Sequence, residues 1–117
     1  MKPEVVAIVG SRQHPHLSMV REYVRTLPAD TVVVSGGAGG VDVVAVAEAR
    51  RLGFRVIVHL PDNAQYGFVD APKHRNKLIA FDCDRMVAFP YGKARGTGHA
   101  ILCAVKLGKP VDVRRCA

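Results

Sequence analysis

Five short apolar runs, most of them rich in β-branched residues, are separated from one another by segments with helical spacing. This alternation constrains the fold of the chain more than any other feature. Val5 to Val9 is uninterrupted and apolar, the pattern of a central strand buried on both faces of a parallel sheet. Leu17, Val20, Val24 and Leu27 then recur on one helical face, with Ser18 a candidate cap and Pro28 closing the segment. Thr31 to Val34 reads as a second buried strand, Val41 to Leu52 as a helix stopped by Gly53, and Arg55 to Leu60 as a third strand. Pro61 to Pro72 reads as a long loop, because Pro61, Asp62, Asn63 and Gly67 are all turn formers. A helix from Lys73 to Phe81 follows, then a fourth strand from Arg85 to Phe89. A last helix runs from Arg95 or Gly96 to Leu107 and stops at Gly108. Pro110 to Val113 is a short edge strand, where a proline is tolerated.

Strands that alternate with helices predict an α/β fold: one open parallel sheet of about five strands, helices on both faces, and right-handed crossovers. A length of 117 residues suits a single domain over 1–117 with its own core. With strand order 3-2-1-4-5, a crevice opens between the first and fourth strands, beyond their carboxyl ends. Three glycine-bearing turns fall on that edge: Gly10-Ser11-Arg12, Ser35-Gly36-Gly37-Ala38-Gly39-Gly40-Val41-Asp42, and Arg95-Gly96-Thr97-Gly98. Glycine lets backbone amides approach a ligand, and a helix N-terminus adds unpaired donors and a positive dipole end. The edge is therefore expected to hold an anion, the phosphate of a nucleotide.

Each turn contributes differently. Ser11 offers a hydroxyl and Arg12 a charge-assisted hydrogen bond to phosphate. The first turn is neither G-x-G-x-x-G nor G-x-x-x-x-G-K-[ST], which argues against ordinary dinucleotide oxidoreductases and P-loop ATPases. Ser35 with Gly36, Gly37, Gly39 and Gly40 suggests a cradle of backbone amides, since neither helix nor strand propensity explains so much glycine. Asp42, in the first turn of the following helix, either caps that helix or bonds a ribose hydroxyl. Lys73-His74-Arg75-Asn76-Lys77 places cations at an expected helix start, where the dipole disfavours them; they are either a solvated basic face or a phosphate-recognising cluster that compensates for the dipole. Tyr66 and Phe68 either stack on a base or pack beneath their loop. Arg75, Asn76, Arg95, Gly96 and Thr97 complete the candidate ligand-binding set.

Lysine and arginine number 17 against 10 carboxylates, a basic balance that favours phosphate-bearing partners. The three cysteines, Cys83, Cys103 and Cys116, are widely spaced and suggest neither a disulfide framework nor a zinc site, with Cys103 read as a core residue. The five histidines lack ligand spacing, so no metal site is expected. No stretch reads as a signal peptide or a membrane span, and the expectation is a cytoplasmic, soluble protein with no membrane partner.

Taken together, Val9-Gly10-Ser11-Arg12, Ser35 to Asp42, His74-Arg75-Asn76-Lys77-Leu78-Ile79-Ala80 and Arg95-Gly96-Thr97-Gly98 resemble the SLOG superfamily. That group includes DprA, the small YspA-like proteins and the LOG phosphoribohydrolases, and the resemblance extends from Val5 to Val113. It implies a Rossmann-like sheet that binds a nucleotide or nucleotide-derived small molecule, often as a homo-oligomer, for which Ala100, Ile101, Ala104 and Val105 offer an apolar helix face. LOG enzymes carry P-G-G-x-G-T-x-x-E, whose glutamate acts with an arginine in cleaving an N-glycosidic bond. Here Gly96-Thr97 matches the G-T, Arg75 matches the arginine, and the glutamate position is Ala100. The catalytic pair is incomplete, so the reading is a binding or sensor module with no catalytic residue and no required cofactor beyond a nucleotide-type ligand. Nucleoside-monophosphate hydrolysis is kept as an alternative. The DprA likeness, in Gly36–Asp42 and Arg75–Ala80, implies single-stranded DNA as another, with Arg12 and Arg75–Lys77 on the backbone. Without tryptophan and with few aromatics, a nucleotide-sized pocket fits better than an extended stacking track.

Overall fold

The computed structural model describes residues 2–115. Nine elements alternate without exception: β1 (Val5–Gly10), α1 (Leu17–Arg25), β2 (Val32–Ser35), α2 (Val41–Arg51), β3 (Arg55–Val58), α3 (Asn63–Asp82), β4 (Arg85–Phe89), α4 (Arg95–Lys106) and β5 (Val111–Val113). The strands form one sheet in the order β3-β2-β1-β4-β5, and every pairing is parallel. The expected Rossmann-like architecture and strand order are therefore observed.

Strand alternation divides the core into two layers. Val6 and Ile8 of β1, with Val33 of β2 and Val87 and Phe89 of β4, face Val20, Tyr23 and Val24 of α1 and Val41, Ala45 and Ala49 of α2. On the other side Ala7, Val9, Val34, Met86 and Ala88 meet Ile79 and Ala80 of α3 and Ala100 and Ala104 of α4. The second layer is rich in alanine, so α3 and α4 lie close to the sheet with little side-chain bulk between. Ala100 and Ala104 are thus buried in the subunit's own core, which leaves Val105 as the exposed member of the predicted interface face. Cys83 is buried and Cys103 partly so, while Cys116 lies outside the described residues.

The clearest difference from expectation is α3. Residues 63–72 are helical, and the helix has a break at Gly67 (φ 78°, ψ 167°). Asp62 starts it by accepting the amide of Gln65 on its side chain at 3.1 Å, and Pro72 is accommodated within it. The helix therefore begins ten residues before Lys73 and carries the chain from β3 past β2 and β1 to β4. Lys73, His74 and Lys77 consequently sit in mid-helix, so the dipole reasoning that made them a compensated helix start does not apply. Among the described residues, no helix is long and apolar enough to cross a membrane.

Candidate functional site

Between β1 and β4 the chain leaves the sheet in opposite directions, towards α1 on one face and α4 on the other. That divergence opens a cleft of about 590 Å3 at the carboxyl edge. Val9 and Gly10 form its base. Arg12 and Gln13 line it from the β1–α1 loop, Arg75 and Asn76 from α3, and Tyr91 to Ala94 with Gly96, Thr97 and Ala100 from the β4–α4 loop and α4.

Ser11 ties two of these walls together. Its hydroxyl accepts the amide of Tyr91 at 2.7 Å and donates to the Tyr91 carbonyl at 3.1 Å. Its amide donates to the Phe89 carbonyl at 3.3 Å. Gly10 allows the approach, since a Cβ there would lie 2.6 Å from Val41 and 2.7 Å from the Phe89 carbonyl. The hydroxyl expected to meet phosphate is instead a clasp that fixes the loop after β4.

The glycine-rich segment folds around Asp42. Gly40 takes a positive φ of 72° as the N-cap of α2, and a Cβ on it would collide with the main chain of Ser11 and Arg12. The chain reverses tightly there, and Asp42 is carried beneath the turn with only 5% exposure. The amide of Gly10 donates to its Oδ1 at 3.2 Å, and the nearby amides of Gly36 and Ala38 also favour the ionised carboxylate. Much of the expected oxyanion cradle is therefore already answered by the protein's own carboxylate. Burial outweighs the opposing effects of Arg75's charge and those three amides, so the Asp42 carboxyl is pushed up to about 6.

Arg75 is held at the cleft wall. Its Nη1 donates to the Gly36 carbonyl at 2.6 Å and its Nε to Asn76 Oδ1 at 2.9 Å, while the side chain is about nine-tenths buried. Burial pulls its pKa down, opposed by Asp42's negative charge, with Arg12 adding to the lowering; the guanidinium stays cationic at neutral pH. Among the described residues Nη2 has no hydrogen-bond partner. Asn76 reaches across to α4, donating through Nδ2 to the Gly96 carbonyl at 3.3 Å. These bonds couple the arginine to the start of α4.

That start is open. Ala94 is the N-cap, with a left-handed backbone (φ 43°, ψ 48°), no capping side chain and no acidic residue in the first turn. Ala94, Gly96 and Thr97 line the cleft, so the unpaired amides of a helix N-terminus border the same space as Arg12, Arg75 and Lys93. Asp42 is the only carboxylate among the lining residues, and Ala100 lines the cleft as well. The arrangement can hold an anion by charge and amide donors. It offers no second carboxylate for paired acid–base chemistry.

Of the residues expected from sequence, Gly10, Ser11, Arg12, Asp42, Arg75, Asn76, Gly96 and Thr97 line one cleft. Ser35 does not: it is fully buried, and its hydroxyl donates to the Ile8 carbonyl at 2.6 Å, bracing β2 against β1. Gly36 is the support of Arg75, and Gly37 packs on Val58 and Leu60 at the end of β3. Gly39, Gly40 and Arg95 lie outside the lining set. Tyr66 stacks on His74 at 4.2 Å and Phe68 is exposed; neither lines the cleft. Tyr91 and Gln13 were missed by sequence reasoning. The signal for Tyr91 was its position directly after the fourth strand, between Pro90 and Gly92.

The sequence profile of the DNA recombination-mediator protein A family matches residues 1–80. The chain belongs to that family. The match contains the first two glycine turns and Arg75-Asn76. Solved structures agree on the fold. A structural-genomics target, TM1055, is 27% identical with a TM-score of 0.76, covering 92% of this chain and 72% of its own. DNA processing protein A (DprA) from Helicobacter pylori, described for its single-stranded DNA binding mode, is 25% identical with a TM-score of 0.72 over 96% of this chain. DprA from Streptococcus pneumoniae is 22% identical with a TM-score of 0.79, also over 96%. The present chain spans 65% of the former DprA chain and 50% of the latter. No curated protein matches it in sequence.

Proposed function

We propose that this protein binds single-stranded DNA, seating one phosphate-bearing nucleotide unit in the β1–β4 cleft. The reading rests above all on the meeting of Arg12, Arg75, Lys93 and the uncapped start of α4 around one open cleft. Cations and unpaired amides on opposite walls suit a phosphate, and an open cleft lets the strand continue on either side. Family membership and the likeness to a DprA described for binding single-stranded DNA favour a polynucleotide over a free nucleotide. The net charge of +7 favours the same partner.

Fluorescence anisotropy with a labelled oligothymidylate, titrated at several salt concentrations, is the test. The logarithm of affinity should fall with the logarithm of salt at about 0.7 per phosphate neutralised. Arg12→Ala and Lys93→Ala should each weaken binding and flatten that slope. Absence of binding at low salt, or variants indistinguishable from the parent, would overturn the proposal. Tight binding of mononucleotides with no gain for longer strands would instead assign the cleft to a free nucleotide.

A further inference from the structure

The cleft has a feature that phosphate recognition does not use. Tyr91 is the only aromatic side chain among its lining residues, and it is 47% exposed. Nearly half of it is therefore open to a flat group entering the cleft. Its main chain is fixed at both ends of the residue, because the Ser11 hydroxyl bonds its amide and its carbonyl. The ring neighbours the buried imidazole of His14, with centroids 6.1 Å apart and planes tilted by 52°. Only Gly92 and Lys93 separate it from Ala94, where the amide-rich start of α4 begins. A pinned aromatic beside an anion-holding helix start matches what one nucleotide presents: a flat base joined to a phosphate.

We infer that Tyr91 is a stacking platform for the nucleobase of the nucleotide whose phosphate lies at the start of α4. This rests on the proposed binding of single-stranded DNA and adds a base subsite to it. Stacking accepts any base, so the subsite confers affinity without reading sequence. Ser11 then has an indirect part: by holding the main chain of Tyr91 it positions the ring, and little conformational entropy is lost when a base covers it.

Two oligonucleotides of equal length separate the effects, one of thymidylate and one of abasic tetrahydrofuran units with the same phosphates. Wild-type protein should prefer the base-bearing strand by about 10-fold. Tyr91→Ala and Tyr91→Leu should lose that preference while binding the abasic strand as wild type does, with an unchanged salt slope. Tyr91→Phe should keep the affinity yet lose the quenching of tyrosine emission that the base-bearing strand causes. Thermal melts of the free variants check that the fold persists; the two aliphatic variants guard against one failing to fold. If wild type binds both strands equally, or if Tyr91→Leu retains the preference, the stacking role is overturned while DNA binding stands. If wild type binds neither strand at low salt, both ideas fall.

Discussion

Replacing Gly36 with alanine tests how the cleft wall is held. Gly36 does not have a positive φ, so the backbone tolerates alanine and only the new Cβ matters. That carbon would lie 2.6 Å from Arg75 Nη1, 3.0 Å from Arg75 Cζ and 3.0 Å from Asp42 Oδ2. The atom that can yield is the guanidinium, and its displacement breaks the 2.6 Å bond to the Gly36 carbonyl and strains the 2.9 Å bond to Asn76. A charged hydrogen bond contributes about 1.5–3 kcal/mol, so Gly36→Ala should cost about 2–4 kcal/mol. In an Arg75→Met background the obstructing guanidinium is gone, and the same substitution should cost under about 1 kcal/mol. Urea denaturation of the four proteins forms a double-mutant cycle with an expected coupling of about 2 kcal/mol. Equal losses from Gly36→Ala in both backgrounds would refute the idea that this glycine exists to admit Arg75.

Protonation and chemistry give three more predictions. Asp42 titrates near 6 in the fold against 3.8 in its absence, so the folded state holds the proton more tightly. Stability should therefore fall by about 3 kcal/mol as pH rises from below 4 to above 6, and Asp42→Asn should flatten that segment of a pH–denaturation profile. Glu48 is the opposite case: hydrogen bonds from Arg51 and Arg25 hold its carboxyl at about 2, against an ordinary 4.5. Its stabilisation should be present above 4.5 and lost as pH falls through 2, so Glu48→Gln should lower the melting temperature at pH 7 but not at pH 2. Incubation with AMP should release no free base by chromatography even at high protein concentration, because Asp42 is the lone carboxylate among the cleft's lining residues.

The sheet was legible because its physics is local. β-branched runs such as Val32–Val33–Val34 are buried on both faces and carry no ambiguity of side. The strand order 3-2-1-4-5 entered the reading only as a condition, and the structure shows it. What escaped was tertiary. Asn63 to Pro72 has turn composition, and the tertiary fold holds it helical against that local propensity, with a break at Gly67. Tyr91 belongs to no motif, and its place at the cleft is held by Ser11, which lies eighty residues away.

The glycine-rich segment shows most clearly how a pattern can be right about location and different in mechanism. Four glycines after a buried strand point to amides that converge on an anion, and the Gly10 amide does bond one, with the amides of Gly36 and Ala38 nearby. The anion is the carboxylate of Asp42, brought under the turn by the reversal at Gly40. A phosphate bound from solution must then be met by donors that the fold leaves unanswered. Those lie across the cleft, where α4 begins without a cap and without an acidic side chain. A carboxylate buried beneath one wall also repels a second anion, so the phosphate is best placed near α4, with the Arg75 guanidinium beside the carboxylate to screen it. Arg75→Met removes a charge that lowers the Asp42 pKa, so the carboxyl titrates higher in the variant, and DNA binding should weaken more at high pH, once Asp42 ionises, than at pH 5, where it is protonated. A loss that is the same at both pH values would show that Arg75 meets the phosphate without screening Asp42.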